Sequence, residues 1–243
     1  MSEQSVTFSV VDGVPTMALN RPDKLNALTA AMFRQMDAHL TALPADAPCL
    51  HLRANGRSFC AGHDLDDLAE SESYETERFA SGLVERLATL PMPVVASVQG
   101  HCFTGGLELV LGADIIIAAE GAEFADTHSK WDLVPIWGLT QRLPRRVGMA
   151  KAMELMFTSR RIGGAEARAI GLANHCVPDA ELDMFARDLC AAMLKNSARS
   201  NRAIKKLLLD TEGQQLAQGL AWELHRSPGH GPDFLARLAE MRK

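Results

Sequence analysis

A chain of 243 residues has room for one large domain, or for a domain with an appendage. Its apolar fraction of 47% and charged fraction of 23% are those of an ordinary globular protein. Lys and Arg number 25 against 30 Asp and Glu, and no basic patch with interleaved aromatics occurs, which argues against a nucleic-acid partner. Met1 to Gln4 are polar and acidic and carry no signal-peptide pattern, and no apolar run is long enough to span a bilayer. The five cysteines, Cys49, Cys60, Cys102, Cys176 and Cys190, are scattered, with no Cys-x-x-Cys pair. That usage suits reduced thiols in the cytoplasm. Cys60, His63, His101 and Cys102 match no regular zinc spacing, so no metal site is expected.

In chain order, Val6–Val11 and Val14–Leu19 alternate apolar and polar residues around Asp12-Gly13 and predict a hairpin. Thr29 caps a helix running to about Leu43, with Met32, Met36 and Leu40 on one face. Cys49–Arg53 reads as a short strand and residues 55–67 as a loop. A helix over about 74–90 stops at Pro91 and Pro93. Val94–Val98 and Ile115–Ala119 are apolar enough to be buried strands. Residues 121–139 look irregular, with short extended pieces at Glu123-Phe124 and Leu133-Val134. From Thr140 the pattern is almost wholly helical, apart from a short edge strand at His175–Val177. This order implies an α/β core over residues 1–190 and a helical region over 191–243 that docks on the core or on another subunit. Arg199, Arg202, Lys205 and Lys206 form a basic stripe there, expected to be a solvated helix face.

The stretch from Ser97 to Asp114 carries the chemistry. Val94–Val98 leads into a glycine-bearing loop, and Thr104 stands where a helix N-cap should. Gly105 and Gly106 follow, leaving backbone N–H groups open at the helix end that favours negative charge. Glu108 lies one turn in. Exposed donors beside a carboxylate suit proton transfer next to a developing oxyanion. Two plainer readings stay open here: a first-turn acid complementing the dipole, and a tight loop-to-helix junction. A phosphate loop is excluded, because Leu107 and Glu108 stand near where Lys and Ser/Thr are needed.

Several motifs in one order resemble the crotonase superfamily, the enoyl-CoA hydratase/isomerase family. They are residues 19–28 (Leu-Asn-Arg-Pro-Asp-Lys-Leu-Asn-Ala-Leu), 59–65 (Phe-Cys-Ala-Gly-His-Asp-Leu), the Ser97–Asp114 stretch, Thr140–Leu143 with Gly148, and Ala165–Leu172. The resemblance covers essentially the whole chain. It implies a superhelix of ββα units with two roughly perpendicular sheets, and a homotrimer or dimer of trimers built through the C-terminal helices. It implies an acyl-CoA thioester substrate, with coenzyme A entering as part of that substrate and no separate cofactor. The His63 and Gly105 N–H groups would form the oxyanion hole. Lys24, Leu25, Ala27, Ala61, Asp64 and Leu65 would line the coenzyme A path. The His63 side chain would then be a spacer rather than a base.

The pattern departs at one place. A typical hydratase of this family uses two glutamates; Glu108 matches the first, and the second position falls on His128. An imidazole there can replace the carboxylate, leave Glu108 to transfer protons alone, or be a spacer bonded to Asp126 or Asp132. Asp132 is a reserve carboxylate without an aligned role. Trp131 and Trp137 either shape the acyl pocket or fill the core. The expected activity is hydration of a 2-enoyl-CoA. A double-bond isomerase, which needs one base, and a non-catalytic acyl-CoA-binding homologue are the alternatives.

Overall fold

The computed structural model describes residues 4–71 and 73–241. Strands β1 (Val6–Val11) and β2 (Val14–Leu19) pair antiparallel, from Val6 opposite Leu19 to Val11 opposite Val14. Asp12 and Gly13 turn the hairpin at φ +50° and +82°, the two left-handed residues a two-residue turn of this hand requires. Strands β3 (Leu50–Ala54), β4 (Val94–Val98), β5 (His101–Phe103), β6 (Ile115–Ala119), β7 (Glu123–Ala125), β8 (Ile162–Gly163) and β9 (His175–Val177) complete two sheets. The larger has the order β1-β2-β3-β4-β6-β9, with every pair after the hairpin parallel. The smaller has the order β5-β7-β8. β9 stands at the edge, as its sequence predicts.

Val94, Val95, Ala96 and Val98 are fully buried, as continuous apolar runs in covered parallel strands must be. Helix α1 (Ala30–Thr41) starts at Thr29, whose hydroxyl accepts from the Met32 N–H. It buries Met32, Phe33, Met36 and Leu40 and packs on α3 (Tyr74–Ala88). Between them lies α2 (Leu65–Ser71), so the loop expected over 55–67 ends three residues early. Several short elements escape the periodicity, among them β5, β8 and a 3-10 helix at His128–Trp131. Leu133-Val134 is not a strand; it belongs to a surface loop, and Val134 is 75% exposed.

The feature that places the chemistry is a double step between sheets. After Gln99-Gly100 the chain leaves β4 for β5, and α4 (Gly105–Val110) follows. After Gly121-Ala122 it leaves β6 for β7, and the 3-10 helix follows. β4 pairs with β6, and β5 pairs with β7 with Phe103 opposite Ala125. The two segments that follow these strands therefore begin side by side.

Helices α5 (Leu139–Val147), α6 (Met149–Thr158) and α7 (Gly164–Ala169) precede β9. Helix α8 (Leu182–Lys195) lies on the larger sheet and buries Leu182, Ala186 and Cys190, so the division expected at residue 190 falls inside a helix of the core. Helices α9 (Ala198–Asp210), α10 (Leu216–Arg226) and α11 (Phe234–Met241) close the chain. Only half of the basic stripe on α9 is a solvated face: Arg199 and Lys206 are exposed, while Arg202 and Lys205 turn to the core. Lys205 is buried, with Nζ 2.7 Å from Asp114 and 3.2 Å from the Met92 carbonyl, and Arg202 donates to the Ala47 carbonyl at 2.9 Å. These bonds tie α9 to the core. α10 and α11 bury none of their side chains. Among the described residues no helix is long and apolar enough to cross a membrane.

Candidate active site

The loop of residues 24–28 is stitched to residues 60–64. Ala61 N–H donates to the Leu25 carbonyl, Leu28 N–H to Gly62, and Asp64 N–H to Leu28, at 3.0, 2.8 and 2.8 Å. Leu25 and Asn26 take left-handed φ angles, and Asn26 is held in place by its side chain. Its amide donates to the Asn55 and Ser58 carbonyls and accepts from Arg21 N–H. Asp64 is engaged locally: it pairs with Arg21 at 2.9 Å and accepts from the first N–H groups of α2. Its burial raises the acid's pKa, but Arg21 and those N–H groups outweigh it and hold the pKa below its ordinary value. Lys24 and Leu65 are exposed at the mouth of this loop pair.

The same crossing brings His63 to α4. A Cβ at Gly62 would lie 3.9 Å from Gly105 N, and His63 and Gly105 line one cavity. Gly106 is required because a Cβ there would stand 2.7 Å from the Cβ of Cys60. Thr104 does not cap α4, contrary to its sequence signature. Its φ of +51° and ψ of −111° turn it out of cap geometry, and no side-chain cap bond forms. Its N–H instead donates to Ala125, and its hydroxyl bonds the hydroxyl and N–H of Thr127. Strand pairing and this threonine clamp outcompete the cap. A β-branched residue in that conformation stores on the order of 1–3 kcal/mol of strain.

Glu108 is 2% exposed. Its Oε1 accepts from Trp137 N–H at 2.9 Å and Leu139 N–H at 3.3 Å, which leaves Oε2 toward His128. His128 Nε2 lies 3.6 Å from that oxygen, too far for a direct hydrogen bond. On the other side of the ring, Nδ1 donates to Asp126 Oδ1 at 2.6 Å. Asp126, His128 and Glu108 therefore form a line, with a buried carboxylate orienting the imidazole that faces the second carboxylate. Burial pushes the Glu108 acid up from 4.5 to about 7; His128 and the two backbone N–H groups oppose this without cancelling it. Such an acid exchanges protons near neutrality.

The cavity holds about 80 Å³ and is walled by Leu68, Leu133, Val134, Ile136 and Trp137 around His63, Gly105, Glu108 and His128. Trp137, 3% exposed, is the shaping tryptophan; Trp131 is 59% exposed and absent from the wall. A Cβ on Gly105 would lie 2.6 Å from the Trp137 ring. The His63 ring packs beside that indole with centroids 5.3 Å apart. Asp132 is exposed and turns the chain at φ +57° after the 3-10 helix. Burial pushes the Cys60 thiol up to about 12 and raises Cys102 as well, so neither is a thiolate nucleophile.

Residues 10–228 match the family model described as enoyl-CoA hydratase/isomerase. The chain belongs to that family. A probable enoyl-CoA hydratase of Rhodobacter capsulatus is 34% identical over 240 residues, covering 96% of this chain and 93% of that one. The crystal structure of an enoyl-CoA hydratase from Bacillus anthracis superposes with a TM-score of 0.93 at 30% identity, covering 98% of this chain and 96% of that one. A putative enoyl-CoA hydratase from Thermobifida fusca, solved with acetoacetyl-CoA, gives 0.84 at 29% identity over 97% and 95% of the two chains. As a member of the enoyl-CoA hydratase/isomerase family, this protein is an acyl-CoA-processing enzyme. Two of its site residues carry little sequence signal. Asp126, just past the end of β7 and two residues before His128, is open in the sequence only as one of two possible bonding partners for that ring. Glu77 lies on α3, remote in sequence from the rest of the cavity.

Proposed function

We propose that the enzyme adds water across the double bond of a 2-enoyl-CoA, and that Glu108 and His128 share the proton transfers. The observation that carries the reading is the line Asp126–His128–Glu108, with a 3.6 Å opening between Nε2 and Oε2 on the cavity wall. The N–H groups of His63 and Gly105 hold the thioester oxygen, and each such donor is worth roughly 3 kcal/mol of barrier. Water sits between Glu108 Oε2 and His128 Nε2. Glu108 takes one of its protons as the oxygen attacks the β-carbon, and the charge moves to the thioester oxygen. His128 hands a proton to the α-carbon, and the bond from Nδ1 to Asp126 keeps the ring turned toward the cavity. The proton on Glu108 then returns to His128 and restores the site.

Lys24, Leu25, Ala27, Ala61 and Leu65 line the coenzyme A path, and Asp64 shapes that loop through Arg21. Coenzyme A is part of the substrate, and no further cofactor or metal is invoked. The exposed stripe Leu216, Leu220 and Leu224 on α10 supports assembly through the C-terminal helices, into a trimer or a dimer of trimers. The free cysteines suit a cytoplasmic enzyme. One observation favours a second reading: the buried Glu108 acid is poised at about 7, and a double-bond isomerase needs one proton carrier. Product analysis on saturated, 2-enoyl and 3-enoyl CoA thioesters separates the two. A 3-hydroxyacyl-CoA from the 2-enoyl substrate supports hydration; a 2-enoyl product from the 3-enoyl substrate, with no hydroxyacyl product, replaces it with isomerisation.

A further inference from the structure

One buried group in the cavity is unused by this chemistry. Glu77, in the first turn of α3, is 9% exposed. Its Oε2 accepts from the Trp137 indole N–H at 2.6 Å. Its Oε1 is buried and has no hydrogen-bond partner among the described residues. The nearest cationic candidate, His63 Nδ1, lies 3.9 Å away, beyond hydrogen-bond reach. Leaving a carboxylate oxygen dry and unbonded is unfavourable, so a buried orphan of this kind marks a place for a missing donor. Glu77, Ile136 and Trp137 line both the inner cavity and a groove of about 1000 Å³ that opens outward between α3, α5 and the end of α9. The orphan oxygen thus stands where an acyl chain running outward from Glu108 past Trp137 would lie. The surrounding wall is aliphatic, with Leu68, Leu133, Val134 and Ile136. A plain hydrocarbon would satisfy that wall and leave Oε1 bare.

We propose that Glu77 Oε1 accepts a hydrogen bond from the acyl group itself, so that the preferred thioesters carry a hydroxyl or an amine beyond the reacting double bond. This rests on the acyl-CoA reading above and names the substrate class within it. The indole bond fixes the Glu77 carboxylate in place, so the site discriminates by pairing or failing to pair a buried acceptor. That form of discrimination is stronger than adding or removing a methylene in an apolar pocket.

The test is calorimetric titration of the purified protein with saturated acyl-CoA thioesters matched in chain length: unsubstituted, ω-hydroxy and ω-amino, across a series of lengths. Turnover of the unsubstituted 2-enoyl-CoA is measured alongside. At the length that reaches Glu77, a donor-bearing thioester should bind about tenfold more tightly than its plain counterpart. A preference shared by hydroxyl and amine assigns a neutral acceptor role; one confined to the amine assigns a charge pair. In Glu77→Gln the amide oxygen keeps the indole bond while its NH₂ faces the cavity, so the preference should vanish or reverse toward an ω-keto thioester. Equal binding of plain and donor-bearing thioesters at every length, or a preference that survives in Glu77→Gln, overturns the inference. If the plain enoyl thioester is still hydrated, the proposed function stands without it. If no thioester is bound or turned over, both fall.

Discussion

Glu108 is stored in an environment that resists its charge. Burial is the larger influence, and the His128 ring with the Trp137 and Leu139 N–H groups only partly offsets it, leaving the acid at about 7 rather than 4.5. The folded protein therefore keeps a proton that the unfolded chain releases between these values. Stability from this group is full below pH 4.5, falls as pH rises through that window, and levels off above about 7. The loss is at most about 3 kcal/mol. Glu108→Gln keeps an oxygen for both backbone donors and has no charge to bury. Urea melts should show it more stable than the native protein at pH 8, with the advantage gone by pH 4.5; parallel pH profiles would contradict this. Asp126→Asn should lower turnover by about tenfold or more and leave thioester affinity little changed, because it weakens the bond that orients the His128 ring. Equal loss of affinity and turnover would assign Asp126 a purely structural part. Glu108 was legible in the sequence because two glycines and a carboxylate at a helix start form a local pattern. His128 was legible only against the family's motif. Glu77 was not legible, since nothing local distinguishes it from the other acids opening α3.

The β5·β7 pairing does the positioning. Its register sets Thr104 beside Ala125 and Thr127, and thereby α4 beside the 3-10 helix that starts at His128. β5 spans three residues, and its role comes from pairing distant in sequence, so its sequence read as loop. The same tertiary bonds explain why Thr104 fails as a cap although its residue type is right. Gly105 is a sharp test of this packing. Gly105→Ala would drive a Cβ to 2.6 Å from the Trp137 ring, and that residue supplies bonds to both Glu108 and Glu77. Thermal melts should show a loss of about 1–3 kcal/mol, and turnover should drop more than tenfold. Gly82→Ala on α3 is the counterpart: a Cβ there meets nothing within 4 Å, so the helix should gain about 0.5–1 kcal/mol. An unharmed Gly105→Ala would mean that the Trp137 indole does not pack against Gly105.

The larger sheet, with α1, α3 and α8 around it, makes one core, and its long apolar strands and amphipathic helices could be read directly from periodicity. What periodicity could not give was how the last helices relate to it. The Arg202 and Lys205 bonds pin α9 down, whereas Leu216 and Leu224 are each 79% exposed on α10. A stripe of this kind repeating along one helix face suits burial against another subunit. Light scattering should give a multiple of three times the 26.4 kDa chain mass, and Leu216→Gln with Leu220→Gln should reduce it to one chain. A native monomer would remove the proposed assembly and leave the site, which lies within one chain, intact. In the proposed mechanism Glu108 moves the proton in hydration. The direct measurement is steady-state formation of 3-hydroxyacyl-CoA from a 2-enoyl-CoA by the native enzyme and by Glu108→Gln. Product is expected from the native enzyme, with a fall in turnover of roughly 10²- to 10⁴-fold in the variant; no hydroxyacyl product from the native enzyme, or undiminished turnover in Glu108→Gln, would contradict proton transfer by Glu108 in hydration.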